Sequence, residues 1–250
     1  DFNGGSSVTI KLNGSTAGSV ALDAPAQTTG NADITFKLPV ADGSAGQVLK
    51  TDGSGNLSWV DNPAPDYVKL QHASSAGNTS QYLVFNNLDV ATYKYFDFII
   101  SYVPATDGSY ARFRFRTGTG SATSGSDVIS ASNYGYSYTQ HWGTNNFGEE
   151  ARTGQGELQL TNAVGSNNDD GEGMSFNMRI NFANSNDTHA ANLQNFITYQ
   201  YAGKDTSNNI NQGSGRGAFH GGSTYPTGFM FYTNTGNIMA YTYTLYGMKR

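Results

Sequence analysis

Alternation of apolar and polar side chains is the sequence feature that most constrains this fold. Every second residue from Met174 to Phe182 is large and apolar, and serine, asparagine or arginine stands between them. The same period sets Phe113 and Phe115 among arginines. Successive side chains of a β-strand point to opposite faces, so the pattern predicts antiparallel sheets with one buried and one solvated face. No apolar period of 3.6 residues lasts longer than a turn or two, so helices are not expected.

The composition of the chain changes near Asn62-Pro63-Ala64-Pro65. Large apolar residues are sparse before this point and aromatic residues are frequent after it. Charged residues are 13% of the chain, about half the usual share, and the low net charge with abundant aromatics argues against disorder. The sequence therefore predicts an all-β protein. An extended β-rich arm, residues 1–65, is followed by a C-terminal head, residues 66–250, expected to be a β-sandwich of jelly-roll type.

The arm is predicted to contain short strands joined by Asn-Gly and Asp-Gly turns. The predicted strands are Ser7–Leu12, Ser19–Leu22, Asp33–Leu38, Gln47–Lys50 and Leu57–Val60. So few large apolar side chains cannot build an isolated core. We therefore expect the arm to share apolar partners with other copies of the chain in a closed cyclic assembly. The alternative is a disordered linker, which the alternating Val, Ile and Phe residues argue against.

The head is predicted to consist of many short strands. They are Tyr67–His72, Tyr82–Leu88, Tyr93–Val103, Ala111–Thr117, Tyr134–Trp142, Gly156–Asn162, Gly173–Ala183, Leu193–Ala202, Gly217–Gly221, Gly228–Thr233 and Ile238–Met248. Polar segments between them are predicted to be loops that carry binding specificity, because a rigid sandwich holds its loops in place. These are residues 118–133, 143–155, 165–172 and 204–216.

Charge and composition argue against several classes of function. The net charge of −5 provides no basic footprint, so nucleic-acid binding is not expected. No apolar run is long enough for a membrane span. The absence of cysteine removes disulfides, thiolate catalysis and cysteine-based zinc sites. No cofactor motif is present, and the scattered histidines show no zinc-ligand spacing.

The acidic residues do not predict an active site. Glu149 and Glu150 are adjacent, and neighbours on an extended chain point to opposite sides, so they do not form a facing pair of carboxylates. The stretch Asn167–Glu172 could offer oxygen ligands to calcium but departs from the EF-hand pattern. A polar hairpin tip is the preferred interpretation. The protein is therefore expected not to be an enzyme, with no metal site and no cofactor.

An aromatic group offers one candidate binding site. Aromatic rings stack on the apolar faces of sugars, and neighbouring amides can hydrogen-bond to hydroxyl groups. The candidates for glycan or receptor contact are Tyr136, Tyr138, His141, Trp142, Asn145 and Asn146. Tyr134, Tyr136, Tyr138 and Trp142 share one parity, so a stripe facing the core is the competing interpretation, and a subunit interface is a third.

A row of arginines offers the second candidate. Arg112, Arg114 and Arg116 project from one face of a predicted strand at a spacing of ~7 Å. Such a row could bind carboxylates of a neighbouring subunit or an acidic ligand. A solvated face with weak local ion pairs is the alternative.

The segment Leu38–Val60, LPVADGSAGQVLKTDGSGNLSWV, resembles a block in tail fibres and related appendages of tailed bacteriophages. The block often joins a thin shaft to a C-terminal head in those proteins. The resemblance covers residues 6–62 well and the head more loosely, although the chain also ends in a similar YG-x-K strand.

This resemblance implies a virion protein that forms a homotrimer and mediates host attachment by multivalent non-covalent binding. It also implies partners: other virion proteins, through the region preceding Asp1, and a host surface glycan or outer-membrane receptor. A purely structural fibre or capsid-associated appendage is the alternative, and a polysaccharide-degrading tail enzyme is a remote one.

Overall fold

The computed structural model describes residues 10–118, 129, 132–143, 146–162, 164–165, 173–183, 195–220 and 225–249, without the side chains of Asn78 and Thr79. These residues form antiparallel β-structure with one 3-10 turn at Thr29–Asn31, which confirms the prediction of an all-β protein. They divide into two compact units, with the boundary between Ala64 and Pro65. No helix in this part of the chain is long and apolar enough to cross a membrane.

The first unit contains two antiparallel hairpins. Strands β1 (Ile10–Asn13) and β2 (Ser19–Leu22) form one, and β3 (Gln47–Thr51) and β4 (Leu57–Asp61) form the other. The strand predicted at Asp33–Leu38 is not formed, and this segment makes only a single parallel bridge, between Lys37 and Asn56. No side chain between residues 10 and 64 is buried. Within one chain, the first unit therefore has no hydrophobic core.

Local hydrogen bonds hold the second hairpin instead. The Asp52 carboxylate accepts hydrogen bonds from the backbone N–H groups of Ser54 and Asn56, at 2.7 and 3.1 Å. The side chain of Asn56 also donates to Asp52, and these bonds lower the pKa of the carboxyl group. The indole N–H of Trp59 donates to the carbonyl oxygen of Ala41 at 3.1 Å. A Cβ at Gly43 would lie 2.6 Å from the Trp59 ring, so this position requires glycine.

The described residues of the second unit form twelve strands. They are β5 (Tyr67–Ser80), β6 (Tyr82–Phe85), β7 (Tyr93–Pro104), β8 (Ala111–Arg116), β9 (Tyr134–Trp142), β10 (Asn146–Gln155), β11 (Leu158–Gln159), β12 (Met174–Asn181), β13 (Asn195–Lys204), β14 (Ile210–Phe219), β15 (Gly228–Thr233) and β16 (Ile238–Lys249). Eight strands form one sheet in the order β10-β9-β14-β13-β12-β7-β16-β5. Four form a second sheet in the order β11-β8-β15-β6. The chain therefore passes repeatedly from one sheet to the other.

Aromatic side chains from both sheets meet in one core. Phe98 of the eight-stranded sheet is fully buried, and its ring centroid lies 5.0 Å from that of Phe85 and 5.3 Å from that of Phe229, both in the four-stranded sheet. Phe231 of the small sheet packs in turn against Tyr102, at 5.1 Å. Most of these ring pairs are tilted or edge-to-face, the geometry that aromatic rings prefer. The alternating pattern of the strands thus places their apolar faces between the two sheets.

Two predicted loops are strands. Residues 143–155 are mostly β10, an edge strand that pairs only with β9. Residues 204–216 are mostly β14, a central strand between β13 and β9. Of the other two predicted loops, 118–133 and 165–172, all but a few residues lie outside the described part of the chain.

Candidate functional site

The outer face of the eight-stranded sheet carries rows of polar side chains across β9, β14 and β13. Antiparallel register places Ser137 of β9 beside Arg216 of β14, and Arg216 beside Thr198 of β13. In the next row Ser214 of β14 lies beside Thr139 of β9. Hydroxyl groups both donate and accept hydrogen bonds, so this face can interact with other polar molecules.

A groove of about 500 Å³ lies on this face, across β10, β9, β14 and β13. Its volume falls within the range of roughly 300–1,000 Å³ that small-molecule sites occupy. Small residues form much of its floor and walls, among them Gly135, Ala151 and Ala218, so the backbone is open to an incoming molecule. Phe196 and His220 lie at one end of the groove.

Glycines in β14 position this part of the sheet. At positions 213, 215 and 217 a side chain would point to the inner face, but bulky side chains of other residues already occupy that space, so these positions are glycine. A Cβ at Gly215 would lie 2.3 Å from the hydroxyl oxygen of Tyr199, and one at Gly217 would lie 2.7 Å from Leu158. The glycine-rich sequence therefore lets β14 lie directly over the aromatic core, and it leaves Ser214, Arg216 and Ala218 on the outer face.

Arg216 has free hydrogen-bonding capacity. Its Nε lies 3.4 Å from the hydroxyl oxygen of Ser137, a long and weak contact, and its side chain is exposed. Among the described residues no carboxylate forms an ion pair with Arg216. Most of the donors of this guanidinium group are thus available to a ligand.

The neighbouring Arg179 is fully engaged by the protein itself. Its Nε and Nη2 donate to the two carboxylate oxygens of Asp97 at 2.8 and 3.0 Å, and the guanidinium group lies 4.0 Å from the centroid of the Tyr95 ring. The hydroxyl of Tyr67 also donates to Asp97, at 3.2 Å. Burial, together with the nearby negative charge of Asp97, raises the pKa of Tyr67 to about 12. The opposite charges of Arg179 and Asp97 therefore cancel in this part of the surface.

Phe196 supplies an exposed aromatic ring next to the free arginine. It is 42% exposed, lies on the outer face of β13, and opposes Ala218 in the register. Arg216 opposes Thr198, so Phe196 and Arg216 are diagonal neighbours on adjacent strands, about 7–8 Å apart. One small ligand can therefore contact both side chains.

The structure separates the predicted aromatic site residues. Tyr138 is only 2% exposed and Tyr134 is fully buried, as expected for a stripe of side chains that faces the core. The prediction that Tyr138 contacts a ligand is therefore wrong, because its side chain lies in the core. Tyr136 is half-buried, stacks on Tyr138 and lines the groove. His141 lies on the outer face of β9, opposite to the face that carries the rings of Tyr136 and Tyr138, and its ring packs against Phe147.

The remaining members of that predicted set lie at the end of the same hairpin. Trp142 is half-buried and pairs with the exposed Asn146 in the register of β9 and β10. Asn145 lies outside the described residues. Of the five predicted residues that the structure describes, Tyr136 alone borders the groove. Phe196 and Arg216 were not among the predictions.

The two adjacent glutamates point in opposite directions, as alternation predicts. Glu150 accepts a hydrogen bond from the Tyr138 hydroxyl at 2.8 Å and pairs with Arg152 at 3.0 Å, whereas Glu149 is exposed. Burial acts to raise the pKa of Glu150, but the bonds from Tyr138 and Arg152 outweigh it, and the pKa is lowered. Glu150 is thus held in its charged form within the hairpin.

The predicted arginine row binds a carboxylate of its own chain. Glu157 pairs with Arg112 and with Arg114, and the second pair has an Nη2–Oε2 distance of 2.7 Å. Tyr232 also donates to Glu157, and Arg114 lies 5.6 Å from the centroid of its ring. Arg116 is fully buried, and its Nε donates to the side-chain oxygen of Asn86 at 2.9 Å. The prediction that Arg116 belongs to a surface row with Arg112 and Arg114 is therefore wrong.

Glu157→Gln is expected to destabilise the second unit by about 1–3 kcal/mol, because two largely buried guanidinium groups lose their charged partner. The side chains of both arginines and of Glu157 are about one-fifth exposed, so the expected loss of stability is smaller than for a fully buried ion pair. Urea unfolding followed by circular dichroism measures the change. Glu149→Gln, at an exposed position, is the control and is expected to shift stability by less than about 0.5 kcal/mol. Equal effects of the two substitutions would contradict the bridging role of Glu157.

Within the described part of the chain, no group of three or more histidine, aspartate and glutamate side chains is arranged to hold a metal ion. The acidic stretch 167–172 lies outside that part.

Comparisons of the chain with protein-family models, with curated proteins and with solved structures find no match.

Proposed function

We propose that this chain is the C-terminal part of a tail fibre or comparable virion appendage of a tailed bacteriophage, and that it attaches to the host surface by non-covalent binding. The observation that carries the proposal is the groove on the outer face of the large sheet, which presents the free guanidinium group of Arg216 and the exposed ring of Phe196. A groove bordered by hydroxyl-bearing side chains and an exposed aromatic ring suits a polar, polyhydroxylated partner. The resemblance of Leu38–Val60 to phage fibre sequences supports the location on a virion.

We also propose that the second unit is a jelly roll. In a jelly roll of eight strands, the first strand pairs with the eighth, the second with the seventh, the third with the sixth and the fourth with the fifth. The second unit shows this nested pairing as β5–β16, β6–β15, β7–β12 and β8–β11. On this assignment β9, β10, β13 and β14 are insertions that widen one sheet, and they carry the groove.

The proposed assembly is a homotrimer held by the first unit. Its apolar side chains are exposed in the single chain, and none of its residues is buried between 10 and 64. Three copies aligned in parallel would cover these side chains, and other virion proteins are the proposed further partners. Three weak sites on one particle bind a surface far more tightly than a single site, because each further contact forms at high effective concentration.

Adsorption of the purified intact chain to bacterial cells tests this function. Fluorescently labelled protein is incubated with a panel of Gram-negative and Gram-positive strains, and bound protein is measured after sedimentation of the cells. We expect saturable binding to at least one strain, displaced by excess unlabelled protein. Absence of specific binding throughout the panel would contradict host attachment and favour a purely structural fibre or capsid-associated appendage. Release of new reducing ends from purified surface polysaccharide would instead indicate a degrading enzyme.

A further inference from the structure

We infer that the groove binds a sugar residue bearing a carboxylate, so that the host ligand is an acidic polysaccharide. This inference rests on the proposed function of host-surface attachment and names the class of ligand for the same site. A planar guanidinium group donates two parallel hydrogen bonds to a carboxylate, and Arg216 has no such partner among the described residues.

Other charged groups near Arg216 decide where in the groove an anion can bind. Asp97 is engaged by Arg179, and Glu150 by Tyr138 and Arg152, so neither carboxylate competes for Arg216. The exposed Glu149 lies one row away, beside Thr139. An anionic group is therefore favoured on the side of the groove away from Glu149, where Phe196 and His220 lie.

The side chains around Arg216 suit a sugar ring. The exposed ring of Phe196 offers a surface for the apolar C–H face of a sugar, and its diagonal spacing from Arg216 lets one sugar residue contact both side chains. The hydroxyl groups of Ser137, Thr198 and Ser214 surround Arg216 on the same face and can bond to sugar hydroxyls. Aromatic stacking, a carboxylate partner and hydroxyl partners therefore converge on one ligand type.

Calorimetric titration of the intact chain tests the ligand class. The probes are trimers of galacturonic acid and of α2,8-linked sialic acid, and a hyaluronan hexasaccharide, each with its methyl-esterified form, in which the carboxylate charge is removed. We expect at least one acidic probe to bind about tenfold or more tightly than its own ester, and binding to weaken as salt is raised. If no acidic probe binds more tightly than its ester, the inference is overturned.

Substitutions locate the binding. Arg216→Gln is expected to weaken binding of the acidic probe about 10- to 100-fold and to leave binding of its ester unchanged, whereas Arg216→Lys retains part of the affinity. Phe196→Ala is expected to weaken both forms about 3- to 10-fold. Lys69→Gln, on the far edge strand of the same face, and Phe147→Ala, at an exposed aromatic outside the groove, are controls that should leave affinity unchanged. Equal loss in Lys69→Gln and Arg216→Gln would show non-specific charge attraction and overturn the assignment.

The cell-binding assay separates this inference from the proposed function. Strong adsorption of both the wild-type chain and Arg216→Gln would leave host attachment in place and overturn the groove as the site. Selective loss of adsorption in Arg216→Gln would support both. Binding of an acidic probe without adsorption to any strain would support the ligand class and contradict the attachment function.

Discussion

Replacement of Phe98 by alanine is expected to lower the free energy of unfolding of the second unit by about 3–5 kcal/mol. Phe98 is fully buried, and its ring contacts aromatic rings of the opposite sheet, including Phe85 and Phe229. Truncation to alanine removes these contacts and leaves a cavity that the two packed sheets can fill only in part. For a unit of this size the melting temperature is expected to fall by roughly 10 °C.

Thermal and urea unfolding of the intact chain, followed by circular dichroism at one fixed protein concentration, measure this change. Phe147→Ala is the matched control, because Phe147 is 57% exposed and belongs to the same residue type. We expect its effect to stay within about 0.5 kcal/mol. Phe98→Leu, which retains most of the volume, should be destabilised by less than Phe98→Ala. A loss in Phe98→Ala no larger than in Phe147→Ala would contradict a core shared by the two sheets.

The strands with a buried face were readable from the sequence. The predicted strands Tyr134–Trp142 and Gly228–Thr233 have the same bounds in the structure, and the alternating segment around Met178 forms β12. Burial between two sheets requires large apolar residues at every second position, and this alternation can be recognised in the amino-acid sequence. The all-β class follows from the same signal.

The strands β10 and β14 could not be recognised in this way, for two different reasons. As an edge strand with one neighbour, β10 is exposed over most of its length, so Glu149 and Arg152 replace apolar residues. In β14 the inner positions 213, 215 and 217 are glycines, because Tyr201, Tyr199 and Leu158 occupy the space that side chains would take. Glycine at every second position, 213, 215 and 217, was the available signal.

The groove was not predictable from local sequence, since its residues are distant along the chain. Ser137, Thr198 and Arg216 become neighbours only through the register of β9, β14 and β13.

The arginine row illustrates the converse. Its spacing was plain in the sequence, but Glu157, which pairs with Arg112 and Arg114, lies on the segment that enters β11 and could not be assigned as their partner. Pairing of strands, not the strands themselves, decides which charges remain free.

The second large effect is expected in the first unit, where the double substitution of Phe36 and Leu38 by serine should dissociate the proposed trimer. Light scattering on the wild-type chain is expected to give a mass of about 80 kDa, three times the chain mass of 26.7 kDa, and the double variant should approach the mass of one chain. Phe36 and Leu38 are about two-thirds exposed in the single chain. Covering both in each of three copies contributes on the order of 10 kcal/mol to association.

The matched control for this variant uses the residues between and beside the same two positions. Thr35→Ser with Lys37→Ser changes polar side chains in the same segment and is expected to leave the trimer mass unchanged. The head core consists of residues between Leu83 and Leu245, so the near-ultraviolet circular dichroism of its aromatic side chains should be the same in all three proteins. A monomeric wild-type chain would contradict association of the arm. A trimer that persists in the double variant would place the association outside the face formed by Phe36 and Leu38, because two serines cannot supply the buried apolar area that this face requires.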